Sequence, residues 1–436
     1  MEWYTSLGAM IGLFLFFILI GIPVNFALGL SFLPLMYFFS GEPFDYVFNL
    51  FGMITFRKLN SVVLVAVPLF ILMGQLFSVT NVGFRMYEGF RRWLGWMPGG
   101  LAITTILTNT LFAAICGASL ISAGTTGPVS IPSMVRHGYS RRLALGSECS
   151  GSALAMLIPP SIPGIFYCII TEQSIGRLFM AGMIPGLILA GLFIASILFR
   201  VHRNPALAPR GESAGWPEKI EALPWIGGPF VVVVFILFSL YSGLAGVNEM
   251  AAIGVCGAFV LAFVYREIDL PRLSMSLLKS GRFLGFFGMV FVCACFMGFG
   301  FTYYGISQAF SDWVGGLPLH RVNVLIIIML MYLLLGMIMD ASAIILVTMP
   351  VVLPIIEKLE YDPIWFGIML ILNLEIGAIT PPVGVNLFAL KSAIPDIDLR
   401  DAIFGSLPFL FMVIVVMVLM VLFPGLALWL PNQMIQ

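Results

Sequence analysis

The sequence predicts an all-α protein that crosses a membrane many times and consists of two inverted copies of one unit. Of the 436 residues, 60% are hydrophobic and only 10% are charged, whereas soluble domains carry about a quarter charged residues. Apolar stretches near the length of about 20 residues that crosses a bilayer recur from end to end. A set of prolines also recurs at one fixed spacing in the two halves, which predicts the duplication.

The charge balance and the motifs exclude several functional classes. The 21 basic and 21 acidic residues cancel, so the chain has no basic field that would bind nucleic acid. The sequence contains no Gly-rich loop that ends in Gly-Lys-Ser/Thr, which argues against an ATPase. A membrane-embedded enzyme would need convergent catalytic groups, and the sequence shows none. We therefore expect no enzyme and no organic cofactor, and a passive channel is a weaker alternative to a transporter.

The apolar stretches predict nine spans and two re-entrant hairpins. Continuous spans are predicted at residues 7–39, 61–80, 175–199, 225–243, 249–265, 283–303 and 403–430. Two further spans, 143–170 and 363–393, are each broken by a Pro-Pro pair, and the stretches 101–135 and 322–356 are predicted hairpins that enter and leave on one side. Residues 201–224 predict a cytoplasmic loop, and residues 44–58 and 270–282 predict amphipathic segments on the membrane surface.

The long-range repeat supports the division into two copies. Four prolines of the first half recur in the second half at an offset of 222 residues, in the pairs Pro128 and Pro350, Pro132 and Pro354, Pro159 and Pro381, and Pro160 and Pro382. Further upstream, Trp93 and Trp313 match at an offset of 220. Such internal similarity indicates a repeat architecture. The predicted copies are residues 1–200 and 244–436, joined by the cytoplasmic loop and a linking span at 225–243.

Loop charges predict that the two copies have opposite orientations. The loop after the first hairpin contains Arg136, Arg141 and Arg142, whereas the equivalent loop of the second copy contains Glu357, Glu360 and Asp362. Short basic loops stay in the cytoplasm, so the two loops are expected on opposite sides. One exception remains, because the same topology places Arg57 and Lys58 outside.

The hairpin tips and the Pro-Pro breaks are the candidate functional elements. Irregular backbone at membrane depth is tolerated where it is buried in protein or lines a cavity. The N-termini of half-helices favour anionic groups, and unwound carbonyls suit Na⁺. The alternative is that the small residues only pack helices and the prolines only kink them. The occurrence of both features in both copies favours binding.

Three carboxylates lie in or near the predicted membrane segments. Asp340, at the second hairpin tip, is expected to act in ion binding or gating, because an intramembrane carboxylate is a functional candidate. Glu375 precedes the second Pro-Pro pair by six residues and is expected to brace the break by hydrogen bonding. Glu148 is expected near the cytoplasmic interface, where water would solvate it.

At this point the sequence resembles a known family. Six short motifs carry the resemblance: Gly117-Ala-Ser119, Gly127-Pro128, Ile158-Pro-Pro-Ser-Ile-Pro163, Met339-Asp-Ala-Ser342, Asn373-Leu-Glu375 and Thr380-Pro-Pro-Val-Gly-Val-Asn386. In these motifs the chain resembles the large membrane subunit of TRAP (tripartite ATP-independent periplasmic) transporters. The resemblance implies an elevator-type, Na⁺-coupled transporter in the bacterial inner membrane, in contact with lipid. It also implies three partners, namely a small four-helix membrane subunit, a periplasmic substrate-binding protein, and an organic acid such as a C4-dicarboxylate or sialic acid.

The motifs and the resemblance together predict the binding residues. Sodium is expected at Gly117, Ser119, Pro159, Pro160, Ser161, Asp340, Ser342, Thr380, Pro381 and Gly384. The substrate is expected at Ser122, Ser161, Gly164 and Asn386, with Glu375 in a structural role nearby. The alternative is a stand-alone Na⁺/dicarboxylate symporter of the same wider group, which would share the architecture but need no binding protein.

Overall fold

The computed structural model describes residues 3–39, 43–211 and 213–434, and all regular secondary structure in these ranges is helical. The described part of the first half contains ten α-helices: α1 (Trp3–Leu19), α2 (Val24–Phe39), α3 (Phe44–Leu59), α4 (Ala66–Val79), α5 (Val82–Leu94), α6 (Gly100–Cys116), α7 (Ser119–Arg136), α8 (Arg141–Ala153), α9 (Ile162–Thr171) and α10 (Ile175–Arg203). Short 3-10 helices precede α4 at Val62–Val65, follow α8 at Leu154–Met156 and follow α10 at Pro205–Leu207.

The second half repeats this order with ten further helices in its described part. They are α11 (Trp216–Tyr241), α12 (Val247–Val264), α13 (Leu270–Tyr303), α14 (Ile306–Gly315), α15 (Arg321–Gly336), α16 (Ala341–Lys358), α17 (Pro363–Ile379), α18 (Val385–Ala393), α19 (Leu399–Leu422) and α20 (Gly425–Asn432). Within the described residues, seven helical segments are long and apolar enough to cross a membrane. The fold is therefore that of an all-α, multi-pass membrane protein.

The first apolar stretch forms two helices, so the prediction of a single span at residues 7–39 was wrong. α1 ends at Leu19, α2 begins at Val24, and the two helices pack against each other. Gly21 between them has φ +87°, a conformation that glycine adopts without a steric penalty. Pro23 follows directly and lacks the N–H that a continuous helix would require.

The α1–α2 pair changes how the inversion of the second copy is explained. α11 and α12 pack together in the same way and precede the second hairpin as α1 and α2 precede the first. If α1 and α2 are counted separately, each half crosses the membrane an odd number of times, so a linking span is not required for inversion. α11 also begins at Trp216, which shortens the predicted cytoplasmic loop at 201–224.

The two predicted amphipathic segments have different structures. The first is a separate helix, α3, which a 3-10 turn joins to α4. The second, predicted at residues 270–282, is the beginning of the 34-residue helix α13 and continues directly into the span. Its only proline, Pro271, lies in the first turn, where a missing N–H costs nothing, so nothing interrupts the helix between the two parts.

The two halves are joined by reciprocal packing around their broken helices. The second arm of the first hairpin, α7, contacts the half-helix α18 of the second copy, and α16 contacts the half-helix α9 of the first copy. α19 packs along α8. This exchange, in which each hairpin contacts the other copy's half-helix, places the two tips and the two breaks in one central region.

Candidate functional site

The tip of the first hairpin directly contacts the Pro-Pro break of its own copy. α6 ends at Cys116 and α7 begins at Ser119, and the turn between them contains Gly117 with φ +62°. The Gly117 carbonyl accepts a hydrogen bond of 3.0 Å from the backbone N–H of Ile162, just after the break. A Cβ at Gly117 would lie 2.4 Å from the Pro160 carbonyl oxygen. Glycine is therefore required by both conformation and space.

The first break is buried and capped. The Pro159–Pro160 peptide bond is cis, and Ser161 is the N-cap of the half-helix α9. The Ser161 hydroxyl accepts a hydrogen bond of 3.1 Å from the Gly164 N–H and donates one to the Met156 carbonyl. The predicted ligand Ser161 is thus held rigidly at the N-terminus of α9, where the helix dipole favours negative charge.

The second hairpin makes the same contact through a longer turn. α15 ends at Gly336, α16 begins at Ala341, and the carbonyl of Met337 accepts hydrogen bonds of 3.1 Å from the N–H groups of Val383 and Gly384. The four-residue turn has two residues more than the first turn. This insertion accounts for the change in repeat offset from 220 to 222 residues, and it is the segment that contains Asp340.

Asp340 is the N-cap of α16. Its carboxylate accepts a hydrogen bond of 2.8 Å from the backbone N–H of Ser342. The equivalent N-cap in the first copy is Ala118, which makes no side-chain cap. Asp340 therefore has a structural role at the tip, and the predicted ligand Ser342, whose N–H it caps, is buried.

The second break differs from the first in its exposure. Pro381 and Pro382, which are also joined by a cis peptide bond, are exposed, whereas Pro159 and Pro160 are buried. The Thr380 hydroxyl donates to the Ile376 carbonyl at 2.6 Å, and Gly384, with φ +62°, begins the half-helix α18. The predicted sodium ligands of the two copies thus have equivalent backbone positions but different access to solvent.

Glu375 and Asn386 are among the buried polar side chains of the second copy that have no partner among the described residues. Both carboxylate oxygens of Glu375 and both side-chain polar atoms of Asn386 lack a hydrogen bond there, although the two residues are at most 1% exposed. The prediction that Glu375 braces the break by hydrogen bonding was therefore wrong. Unsatisfied buried groups of this kind mark a water, ion or ligand position, and Asn386 is a predicted substrate ligand in the first turn of α18.

The prediction of a solvated Glu148 was also wrong, because this carboxylate is fully buried between the arms of the first hairpin. It accepts hydrogen bonds from the hydroxyls of Thr126 and Ser130, both at 2.5 Å, and from the Asn109 amide at 3.2 Å. The Asn109 carbonyl in turn accepts from Thr126 at 2.9 Å and from Ser122 at 2.7 Å. The predicted substrate ligand Ser122 is therefore part of this network.

Sequence reasoning missed the partners of Glu148. Ser122, Thr126 and Ser130 are spaced four residues apart on α7, which places them on one helix face. This spacing was a usable signal for a polar stripe. Asn109 lies on a different helix, α6, in an apolar segment, and no local pattern connects it to Glu148, which is 39 residues away.

Comparison with known proteins identifies the family. The family model for the DctM component of the tripartite ATP-independent periplasmic transporter matches residues 11–426. The chain belongs to this family. The chain is 36% identical to the C4-dicarboxylate TRAP transporter large permease protein DctM of Pseudomonas aeruginosa, over 85% of this chain and 86% of that relative.

One further relative and one solved structure with a similar fold define the breadth of the similarity. The isethionate TRAP transporter permease protein DctMQ of Oleidesulfovibrio alaskensis is 28% identical, over 98% of this chain but 67% of the longer relative. The YdaH transporter of Alcanivorax borkumensis has a similar fold, with a TM-score of 0.66, 13% identity and coverage of 97% and 98% of the two chains. Membership of the family makes the chain a transporter subunit of the bacterial inner membrane and not an enzyme.

Proposed function

We propose that this DctM permease imports a small organic acid together with Na⁺. The observation that carries the proposal is the repeated contact between hairpin tip and break, Gly117 to Ile162 in one copy and Met337 to Gly384 in the other. In each copy, this contact brings irregular backbone and freed carbonyls beside the N-terminus of a half-helix. Carbonyl oxygens suit Na⁺, and half-helix N-termini suit a carboxylate.

The proposed ion sites follow the two contacts. The first consists of Gly117 and Ser119 with the break at residues 159–161, and the second consists of Asp340 and Ser342 with the break at residues 380–384. The solute would lie between them, near Ser161, Gly164 and the unpartnered amide of Asn386. Ion binding would order the tips and so lower the entropic cost of ordering them around the solute.

The substrate class and the partners rest on the relatives. One relative is named for C4-dicarboxylates and another for isethionate, and both solutes are small organic anions. We expect a periplasmic binding protein to deliver the solute. We also expect a separate small membrane subunit, because the relative named DctMQ is longer than the segment that it shares with this chain.

The difference in exposure between the two breaks supports an elevator mechanism. One break is buried and the other is exposed, as expected when a moving domain opens one side of the site at a time. In this mechanism the hairpins and broken helices would move together against a scaffold that includes α13 and the two helices α2 and α4, both of which pack on α13.

The test is uptake into proteoliposomes that contain the permease and its small subunit, with the purified binding protein outside. We expect accumulation of labelled succinate only with an inward Na⁺ gradient and the binding protein. Ser119→Ala and Asp340→Ala should each abolish it, while Ser213→Ala in the loop before α11 should not. Uptake that persists in both site variants would disprove the ion sites. Uptake without the binding protein would instead favour the stand-alone symporter.

A further inference from the structure

A large cavity lies outside the region of the hairpin tips. Its volume is about 1300 Å³, and it is bounded by the C-terminal part of α3, the end of α9, α13 near Thr302, and α16 near Pro350 and Pro354. None of the predicted ion or substrate ligands lines it. We refer to it as the outer cavity. It exceeds the about 300–1,000 Å³ of typical small-molecule pockets, so a small solute would enter it together with water.

The four bounding elements place the cavity on the predicted outer side. The last turn of α3 contains Arg57 and Lys58. The 18 helical residues Val62–Val79, about 27 Å long, separate this turn from the basic segment that begins at Arg85. α8 begins at the basic loop that is predicted to be cytoplasmic, so the end of α9 lies on the opposite side. α13 begins on the predicted cytoplasmic side, near Arg272, and runs outward. α16 runs from the second tip to the acidic loop at residues 357–362.

Arg57 and Lys58 in the wall of the outer cavity are unpaired. Neither side chain forms an ion pair or a hydrogen bond with the described residues. Among the residues that line the cavity, Glu172 is the only one with a carboxylate. The C-terminus of α3 supplies only about half a negative charge, so the wall has excess positive charge.

We infer that the outer cavity is an anion-binding vestibule, in which Arg57 and Lys58 bind the carboxylate of the incoming solute before it reaches the hairpin tips. The identity of this anion rests on the proposed function. Two adjacent cations outside contradict the usual loop-charge rule, and a role in attracting an anionic solute explains the exception. Clefts lined by one sign of charge raise the local concentration of the opposite ion.

The cavity is placed so that its contents could reach the site. Its wall includes Pro350 and Pro354 of α16, the helix whose first turn contains Asp340 and Ser342. The Ser307 and Ser311 hydroxyls of α14 donate hydrogen bonds of 2.8 and 3.1 Å to the Pro350 and Pro354 carbonyls. These bonds support the wall at the two positions where prolines interrupt the helix ladder. An anion in the vestibule would thus lie against the arm that leads to the second tip.

The experiment measures the electrostatic potential of the vestibule directly, without relying on transport. A thiol is introduced by Thr302→Cys, on the cavity wall, and the exposed native thiol is removed by Cys256→Ala. Cys168→Ala and Cys295→Ala remove the two native thiols that line the cavity, in the test protein and in the control protein alike. Labelling rates from outside are compared for an anionic and a cationic methanethiosulfonate reagent. The matched control is Leu244→Cys in the exposed turn between α11 and α12, with the same removal of Cys256.

We expect the anionic-to-cationic rate ratio at position 302 to exceed the control ratio about tenfold. The double substitution Arg57→Gln and Lys58→Gln should reduce it to the control value, and Arg57→Lys should preserve most of it. Succinate at millimolar concentration should slow labelling at position 302 but not at position 244. A ratio that the double substitution leaves unchanged, or labelling that succinate does not slow, would overturn the inference.

The membrane composition distinguishes a solute from a phospholipid headgroup, which offers the same anionic chemistry. If a lipid phosphate neutralised Arg57 and Lys58, the ratio would fall in vesicles that contain phosphatidylglycerol, and succinate would not protect; that outcome rejects the vestibule. Failure of this test with intact Na⁺-driven uptake would leave the proposed function standing. Protection by succinate without any Na⁺-driven uptake would instead support the vestibule and reject Na⁺ coupling.

Discussion

The two hairpins have the same topology but are held in place by different interactions. In the first hairpin, Glu148 accepts hydrogen bonds from both arms, through Asn109 on α6 and Thr126 and Ser130 on α7. At the repeat offset of 222 residues, the position of Glu148 is occupied by Leu370, and the second hairpin has no equivalent network among its described residues. Its two arms are joined through the hydroxyl of Tyr332, which lies 2.8 Å from the Thr348 hydroxyl and donates to the Met349 sulfur at 3.5 Å.

At one helix crossing, the amide side chain lies on the hairpin in the first copy and on the broken helix in the second copy. In the first copy Asn109 lies on the hairpin arm and packs against Gly151 of α8. In the second copy the hairpin residue is Met329, and the amide belongs to Asn373 of α17, which donates a hydrogen bond of 2.6 Å to the Met329 carbonyl. The same helix crossing is thus stabilised by opposite partners. The repeat therefore conserves backbone geometry, while each copy satisfies its polar groups in its own way.

This difference suggests a division of roles. Each hydrogen bond contributes about 0.5–1.5 kcal/mol net, and leaving a buried polar group without its partner costs more, so the network should hold the first hairpin and α8 as one unit. The second hairpin has a longer tip, an exposed break and fewer polar links. We therefore expect the second hairpin to open more readily than the first, and the following predictions test that contrast in order of decreasing effect.

The largest effect is expected for Gly117→Ala at the first tip. The new Cβ would meet the Pro160 carbonyl at 2.4 Å, and the residue would keep a positive φ, so the free energy of unfolding should fall by about 3 kcal/mol and uptake should be lost. Gly124→Ala on α7, where a Cβ meets nothing within 4 Å, is the matched control. Thermal unfolding in detergent and uptake measure both variants, and equal behaviour would contradict the tight tip contact.

Removal of the carboxylate from the network should have the next largest effect. Glu148→Ala leaves the Ser130 hydroxyl and one N–H of the Asn109 amide without their acceptor and removes one of several acceptors of the Thr126 hydroxyl, so the thermal midpoint should drop by the equivalent of about 3 kcal/mol. Glu148→Gln keeps the shape and one acceptor and should cost less. Glu172→Ala, in the exposed loop after α9, is the control. A neutral outcome for Glu148→Ala would show that the first hairpin does not depend on this network.

The exchanged amides allow a direct comparison of the two copies. Asn109→Ala removes one donor and an acceptor that serves two hydroxyls, and should cost about 2 kcal/mol. Asn373→Ala removes a single hydrogen bond and should cost about 1 kcal/mol. Hydrogen exchange should also show faster exchange in α6 and α7 for the first variant only. Equal losses of stability would contradict the proposed difference between the hairpins.

The smallest effect is expected at the cytoplasmic end, where Glu267 joins the two halves. Partial burial raises the pKa of the Glu267 carboxyl, but hydrogen bonds from Arg85, Arg272 and Asn81 outweigh it and lower the pKa below its ordinary value. The resulting stability is present above the unfolded-state pKa of about 4.3 and is lost as the pH falls through the lower folded-state pKa. Glu267→Gln should cost about 1 kcal/mol at pH 7, and its thermal midpoint should change less than that of the wild type on acidification.

Part of the site could be predicted because its signals are local in the chain. The Pro-Pro pairs at 159–160 and 381–382 break helices wherever they occur, and their spacing from the hairpin tips located both breaks. The basic loop at Arg141 and Arg142 likewise predicts sidedness from a local signal, and this stays a prediction. The turn at Gly21 and Pro23 was also a local signal, because a glycine followed two residues later by a proline disfavours a continuous helix.

The amino-acid sequence alone determined that the chain is a duplicated, membrane-spanning transporter. Hydropathy, proline spacing and loop charge are properties of the residue order, so they can be read without knowing which residues meet in space. Only the tertiary structure decided which polar groups are satisfied. Glu148 is fully bonded and Glu375 is unpartnered among the described residues, although both are single carboxylates in apolar sequence. The physical reason is that hydrogen-bond donors act over about 3 Å in space, and a helix brings them from positions many residues away.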